Sequence, residues 1–316
     1  MANPPQPVNP PRPVDAAVDP AARAQAGAPP SIRRVLVLAN AANPEVRRLL
    51  GNLAPWLGER VDSVHVEEDV RAFCEAREEL RRAGAELEVP DLVAVLGGDG
   101  AMLAAVRAFR ERPVPTFGIN FGRVGFLAST PASRWREVLG GVLQGGGVHE
   151  PRMRLSVEGQ LGGGTLHSVA LNDVVVQRRS TQGLMTVSLW VGELWVTNYR
   201  ADGLVAATPT GSTAYSLAAG GPILDPALDG VVVTPLCSQG LSNRPIVLQP
   251  DSHLSVRVEV AEGGAGLVLD GQDSHEMQAG DTVRLQRHPQ PYPLLAMPGL
   301  DPYRRLRSRL GWGSSG

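Results

Sequence analysis

The run Gly97-Gly98-Asp99-Gly100 sets one carboxylate among three glycines. Glycine lets the backbone approach an anion closely and adopt positive φ. A carboxylate so placed can take the proton of a hydroxyl nucleophile or help hold a metal–phosphate complex. The run follows the apolar stretch Leu92-Val93-Ala94-Val95-Leu96. It precedes Met102, Leu103, Val106 and Phe109, which mark a helix. A helix starting there offers free N–H groups and its positive dipole end to a phosphate. The same residues would also serve as a tight strand-to-helix turn with a capping aspartate.

Other segments place polar groups on short turns. The glycine-rich stretch 118–127 carries Arg123, which can reach a phosphate, and ends in Phe126 and Leu127, which also suit core anchors. Asn172-Asp173 heads the run Val174-Val175-Val176. Its amide and carboxylate can fix vicinal sugar hydroxyls, or form a turn. The longest segment, 200–222, holds Arg200, Asp202 and then Thr208-Pro209-Thr210-Gly211-Ser212-Thr213-Ala214-Tyr215-Ser216-Leu217-Ala218. Hydroxyls cluster there around a turn that opens a helix. Small residues let a flat base lie on the backbone, and Tyr215 supplies a stacking face. Leu241-Ser242-Asn243-Arg244-Pro245 and Leu269-Asp270-Gly271-Gln272 read singly as turns.

Every fixed side-chain cation is an arginine, because the chain has no lysine. A GxxxxGK[ST] phosphate loop and Schiff-base chemistry are therefore excluded. Phosphate would have to be handled by backbone N–H groups, arginine and a metal ion. The six histidines are scattered without HExxH or HxH spacing, so no resident catalytic zinc is expected. Cys74 and Cys237 are too few for a disulfide framework. No GxGxxG follows the first strand, which disfavours a dehydrogenase-type dinucleotide fold.

The elements that must position these groups follow from periodicity. Residues 34–38 form an apolar run expected in a strand buried on both faces. Asn43-Pro44 reads as an N-cap and first helical position, followed by Val46, Leu49, Leu50, Leu53 and Leu57. A strand at 61–66, a charged helix at 67–82, a strand at 92–96, a helix after Gly100 and a strand at 114–119 complete an α/β alternation with a parallel sheet. Beyond about residue 150 the pattern becomes short Val-, Leu- and Thr-rich segments, near 152–158, 167–176, 184–191, 194–199, 204–208, 230–234, 245–249, 253–260, 266–270 and 282–287. That rhythm predicts a β-rich, sandwich-like domain, interrupted by a helical turn at 212–219. Residues 1–30 hold 9 of the 27 prolines and no periodicity, and read as a disordered Pro/Ala-rich tail.

Taken in order, GGDG, the GxxGFL loop, Asn-Asp, the DGL…TPTGSTAYS stretch and LSNRP resemble the NAD kinase family from about Val35 onward, and Leu310-Gly311-Trp312 is similar to its tail. The resemblance implies transfer of the terminal phosphate of ATP, or of polyphosphate, to the 2′-hydroxyl of the adenosine ribose of NAD, with Asp99 catalytic. It implies that Asn172 and Asp173 hold NAD. Arg200, Asp202, Thr210, Thr213, Ala214, Tyr215, Ser216, Leu217 and Ala218 would surround its adenine and ribose, with Gly100 and Gln272 close by. It implies a divalent ion, Mg or Mn, arriving on the ATP phosphates. It further implies a homodimer or homotetramer whose site is partly built by a neighbouring subunit. The expected domains are 31–138 (α/β, carrying GGDG), 139–295 (β-rich, NAD-binding) and 296–316 (a segment returning to the first domain). Two positions depart from the pattern: Ala101 stands where a polar residue is usual, and Gln239 where a histidine is.

The composition, 43 % hydrophobic and 20 % charged, fits a globular protein, and a net charge of −2 gives no bulk attraction to nucleic acid or acidic membranes. No apolar run approaches the ~20 residues needed to cross a bilayer, and no leader pattern is found, so the cytoplasm is the expected compartment. The rival readings are a lipid or sugar kinase using GGDG and a non-catalytic dinucleotide sensor.

Overall fold

The computed structural model describes residues 32–312, apart from 86–87, 123–124, 163, 181–182, 241 and 297–301. The tail expected at 1–30, together with Arg123 and Leu241, lies outside the described residues.

The first part alternates β1 (Arg34–Ala39), α1 (Pro44–Gly58), β2 (Ser63–Glu67), α2 (Val70–Arg82), β3 (Leu92–Leu96), α3 (Asp99–Ala108) and β4 (Thr116–Asn120). A short β5 (Thr130–Pro131), α4 (Trp135–Leu143) and β6 (Val148–Arg152) follow. The strands β1 to β4 are mutually parallel, in the order β2-β1-β3-β4. Their residues alternate between two cores. Val35, Val37 and Ala39 pack with α1 and α4 on one face. Leu36, Leu38, Val93 and Val95 pack with Val70, Met102, Ala105 and Val106 on the other. Asn43 and Asp69 cap α1 and α2 by accepting backbone N–H groups, as such residues do at helix starts.

The second part is antiparallel. One sheet holds β7 (Leu155–Leu161), β8 (Gly164–Ala170), β10 (Met185–Val191), β11 (Leu194–Ala201), β15 (Leu254–Val260) and β18 (Thr282–Arg287). The facing sheet holds β9 (Asp173–Arg178), β12 (Gly203–Ala207), β13 (Val231–Leu236), β14 (Ile246–Leu248), β16 (Ala265–Leu269) and β17 (Asp273–Met277). Alternate residues of both sheets, among them Val157, Val187, Val174, Leu204 and Leu267, share one core, which makes a sandwich. The remaining alternates of the second sheet, Val175, Val205 and Ala207, face outward under Ala219 at the end of α5 (Tyr215–Ala218).

The chain then returns. The strand β19 (Tyr292–Ala296) enters the first sheet between β4, to which it is parallel, and β6, to which it is antiparallel. The helix α6 (Pro302–Leu310) follows. The β-rich stretch expected at 139–295 thus lends a strand at each end to the α/β sheet. The guanidinium of the fully buried Arg154 ties the junction, donating to the carbonyls of Arg110 (2.7 Å) and Gln290 (2.9 Å).

Several elements differ from the sequence reading. The segment expected at 167–176 is two strands, broken at Leu171-Asn172, where the backbone N–H groups turn to a side chain instead of a ladder. Helix α4 was not anticipated: Gly140 and Gly141 dilute its signal, although Trp135, Val138, Leu139 and Val142 fall on one buried face. Strands β17 and β19 were also missed, the first because Asp273–Met277 carries mostly polar residues.

Candidate active site

Asp99 is the first residue of α3, directly beyond the carboxyl end of β3, at the edge where open α/β sheets bind ligands. Its Oδ2 accepts the N–H of Phe126 (3.0 Å), and its Oδ1 accepts those of Leu127 (3.0 Å) and Ala128 (3.1 Å). The glycine-rich loop is therefore a cradle for the carboxylate. A Cβ at Gly125 would stand 2.0 Å from Asp99 Oδ1, so the cradle needs glycine there. From α6, Arg309 Nη2 reaches Asp99 Oδ2 at 3.2 Å, and Arg305 donates to the Phe126 carbonyl (3.0 Å) and pairs with Glu150 (3.2 Å).

Asn172 and Asp173 stand at the break between β8 and β9. One buried carboxylate organises that break. Asp270, in the left-handed region at φ 50°, accepts the N–H groups of Leu171 (2.9 Å), Asn172 (2.6 Å) and Asp173 (3.1 Å). Burial pushes the Asp270 carboxyl above its ordinary range. Asp173 is pushed up to about 7, first by burial and then by the charge of Asp270, against a backbone hydrogen bond from Tyr215. The Asn172 Oδ1 is buried and accepts no hydrogen bond among the described residues. Such an orphan acceptor invites a donor from a ligand.

The 208–218 segment folds over the same end of the second sheet. Thr208 donates its hydroxyl to the Leu171 carbonyl (2.6 Å) and its N–H to that of Asn172 (2.8 Å). A Cβ at Gly211 would lie 2.0 Å from the Asn172 carbonyl oxygen, so glycine permits this approach. Tyr215 is 44 % exposed and free to stack. Ser216 is fully buried and its hydroxyl meets Thr234 at 3.0 Å, so this side chain supports the turn from within. Thr210 and Thr213 line a cavity of about 280 Å³ shared with Phe126, Leu224, Tyr303 and Trp312. Gln272 completes the link: its Nε2 donates to the Gly100 carbonyl (3.2 Å), and its own carbonyl accepts from Arg107 (3.2 Å).

The fold thus gathers Asp99, Gly100, Asn172, Asp173, Thr210, Thr213, Tyr215 and Gln272 around one junction. Arg200 and Asp202 are not among them. They precede β12, whereas Thr208 follows it, and the extended stretch between is about 20 Å long. Asp202 is paired with Arg178 (2.5 Å), and the Arg200 carbonyl accepts the N–H of Gln239 (2.9 Å). Ala101 lines a second hollow, together with Gly100, and does not line the 280 Å³ cavity. The sequence reading passed over Asp270 and Arg309. The first had a signal, an aspartate before glycine in the quoted LDGQ turn; the second was one arginine of several in the tail.

The ATP-NAD kinase N-terminal domain family matches residues 35–147, and the ATP-NAD kinase C-terminal domain family matches 171–297. The chain belongs to the NAD kinase family. An NAD kinase of Geotalea daltonii is 34 % identical over 283 residues, covering 89 % of this chain and 99 % of the relative. One of Symbiobacterium thermophilum is 41 % identical over 221 residues, covering 70 % and 78 %. In fold, the chain is similar to yeast NADH kinase complexed with NADH, with a TM-score of 0.79, 24 % identity and coverage of 90 % and 89 %. It is also similar to an Archaeoglobus fulgidus NAD kinase in complex with ATP, with a TM-score of 0.65, 24 % identity and coverage of 89 % and 98 %. Members of the family are phosphotransferases. No helix among the described residues is long and apolar enough to cross a membrane.

Proposed function

We propose that the chain transfers the terminal phosphate of ATP to the 2′-hydroxyl of the adenosine ribose of NAD, giving NADP. The observation that carries this reading is the cradled Asp99 carboxylate, whose donor Phe126 lines one cavity with Thr210 and Thr213. Three backbone donors fix its position, so it is oriented before substrate arrives. The adenosine of NAD would lie in the cavity between Phe126 and Thr213, with Tyr215 through Ala218 along its edge. A ribose hydroxyl would meet the orphan Asn172 Oδ1, and Asp173 would accept from its neighbour. As the 2′-oxygen bonds to the γ-phosphorus, its proton passes to Asp99 and the bond from that phosphorus to the leaving ADP oxygen breaks. Gly100 and the start of α3 offer N–H groups to the transferred group.

A resident divalent ion does not fit the residues present. The described residues contain no cluster of three or more His, Cys, Asp or Glu side chains able to hold one. Asp99 already faces three N–H groups and an arginine. The Mg or Mn ion expected of the family would arrive on the ATP phosphates. Arg200 and Asp202 would reach the dinucleotide of a second copy in a homodimer or homotetramer. The test is an assay of purified protein with NAD, Mg²⁺ and either ATP or inorganic polyphosphate, reading the product with an NADP-dependent dehydrogenase. No NADP with either donor would end the reading; product with polyphosphate alone would replace the donor.

A further inference from the structure

The chain breaks between β8 and β9, and such a break leaves N–H groups without a ladder partner, which is costly where they are buried. Here three successive groups, from Leu171 (2.9 Å), Asn172 (2.6 Å) and Asp173 (3.1 Å), donate to the carboxylate of Asp270. The carbonyls of the same three residues are held as well. That of Leu171 accepts the Thr208 hydroxyl (2.6 Å), that of Asn172 the Thr208 N–H (2.8 Å) and that of Asp173 the Asp270 N–H (2.9 Å). The break is therefore fixed from both sides with no ligand needed to impose it, and the unpartnered Asn172 Oδ1 is carried on it.

Asp270 is itself held against the helix that carries Asp99. Its backbone is left-handed at φ 50°, and Gly271 follows at φ 66°. That tight turn sets the next two residues on α3 and its end. Gln272 Nε2 donates to the Gly100 carbonyl (3.2 Å), and the Gln272 carbonyl accepts from Arg107 (3.2 Å). Asp273 faces Arg110, just beyond the end of α3, at 4.0 Å. One short turn, 270–273, thus grips Asn172-Asp173 with its first residue and the Asp99 helix with its last two.

We propose that Asp270 is a positioning residue for dinucleotide binding: without touching the ligand, it presets the Asn172-Asp173 break and keeps it in register with the Asp99 helix. The proposal rests on the reading above that places NAD against Asn172 and Asp173. A carboxylate suits the task because it accepts on two oxygens and asks for no acceptor in return. Groups fixed in advance bind more tightly, because less ordering is left to the moment of binding. An asparagine here tolerates the left-handed backbone. It keeps one oxygen for the Asn172 and Asp173 donors, which share Oδ1, but turns an amide N–H toward that of Leu171. A glycine keeps the backbone and offers no acceptor at all.

The test compares Asp270→Asn and Asp270→Gly with the wild type on the full chain, after circular dichroism has shown each to be folded. Calorimetry with NAD should read an affinity lowered about threefold in the first and about tenfold or more in the second, as loss of one and of all the accepted bonds predicts. A non-hydrolysable ATP analogue with Mg²⁺ should bind all three proteins within about twofold. In turnover, KM for NAD should rise in the same order while kcat stays within about threefold, a split that general loosening of the fold would not produce. NAD affinity unchanged in Asp270→Gly would overturn the proposal, as would equal loss of NAD and analogue binding. Should the glycine variant not fold, Asp270→Asn decides alone: weaker NAD binding with analogue binding intact supports the proposal, and unchanged NAD binding ends it. The kinase reading fails separately, if the wild-type protein forms no NADP from ATP and NAD, and that result leaves the binding comparison standing.

Discussion

Arg309 adds a fourth contact to Asp99: its Nη2 stands 3.2 Å from an Oδ2 that already accepts the Phe126 N–H, while Oδ1 accepts two further N–H groups. A carboxylate offers about four lone-pair sites, so in the proposed reaction a substrate hydroxyl would gain Asp99 as the guanidinium moves off. The cation would then stand next to the transferred phosphoryl group, in a chain that has no lysine for the task. Arg309→Met should therefore lower kcat about 10²-fold, as loss of one donor to developing charge does, and leave KM for NAD within about threefold of wild type. Steady-state kinetics check this, and unchanged kcat would remove Arg309 from the reaction.

Asp99→Asn keeps one carbonyl oxygen for the cradle and loses the base. The expected outcome is a folded protein whose kcat falls by about 10²–10⁴-fold, the usual span of general-base catalysis. Circular dichroism and turnover with NAD and ATP measure the two parts. Near-normal turnover would reassign the proton acceptor.

Asp173 makes ligand-free stability depend on pH. Its proton stays bound up to about pH 7 in the folded protein and leaves near the ordinary aspartate value of 3.8 when unfolded. Between these values the native state binds more protons than the unfolded state. The unfolding free energy therefore falls as pH rises through that window and levels off above it. Asp173→Asn should flatten this slope, raise the melting temperature at pH 8, and weaken NAD binding. Thermal melts from pH 5 to 8 decide; an unaltered slope would mean that Asp173 is ionised throughout.

Gly125 and Gly211 meet Asp99 and Asn172 too closely for a side chain. Gly211→Ala should cost about 1–3 kcal/mol by overpacking, read by urea unfolding. Gly125→Ala should push the Asp99 carboxylate from its donors and depress kcat more than it depresses stability.

Asp202 lies at the far end of β12 from Thr208, so the shared-site reading gives a mixing test. Asp99→Asn and Asp202→Ala proteins, each inactive alone, should regain activity when co-refolded, because one interface then carries both intact residues. Absence of rescue in a demonstrated mixed oligomer would return Asp202 to its local ion pair with Arg178.

Much of this was legible in the residues. The buried runs at 34–38 and 92–96 announced parallel strands because both faces had to be apolar, and the glycines around Asp99 announced a close backbone approach. What escaped detection was set by distant partners. The break at Leu171-Asn172 depends on Asp270, about a hundred residues away. The strand at 292–296 is defined by the neighbours it joins, and its Pro293 disguises it. Arg309 matters only through its position on α6 against the cradle, which no local pattern encodes.

The late entry of Tyr292–Ala296 between β4 and β6 carries a consequence for biosynthesis. On the ribosome the α/β layer stays an unfinished edge, with Thr116–Asn120 lacking that neighbour, until residues 292–296 have been made. The sheet is complete only once that strand has joined it, and the helix that follows then carries Arg309 to Asp99.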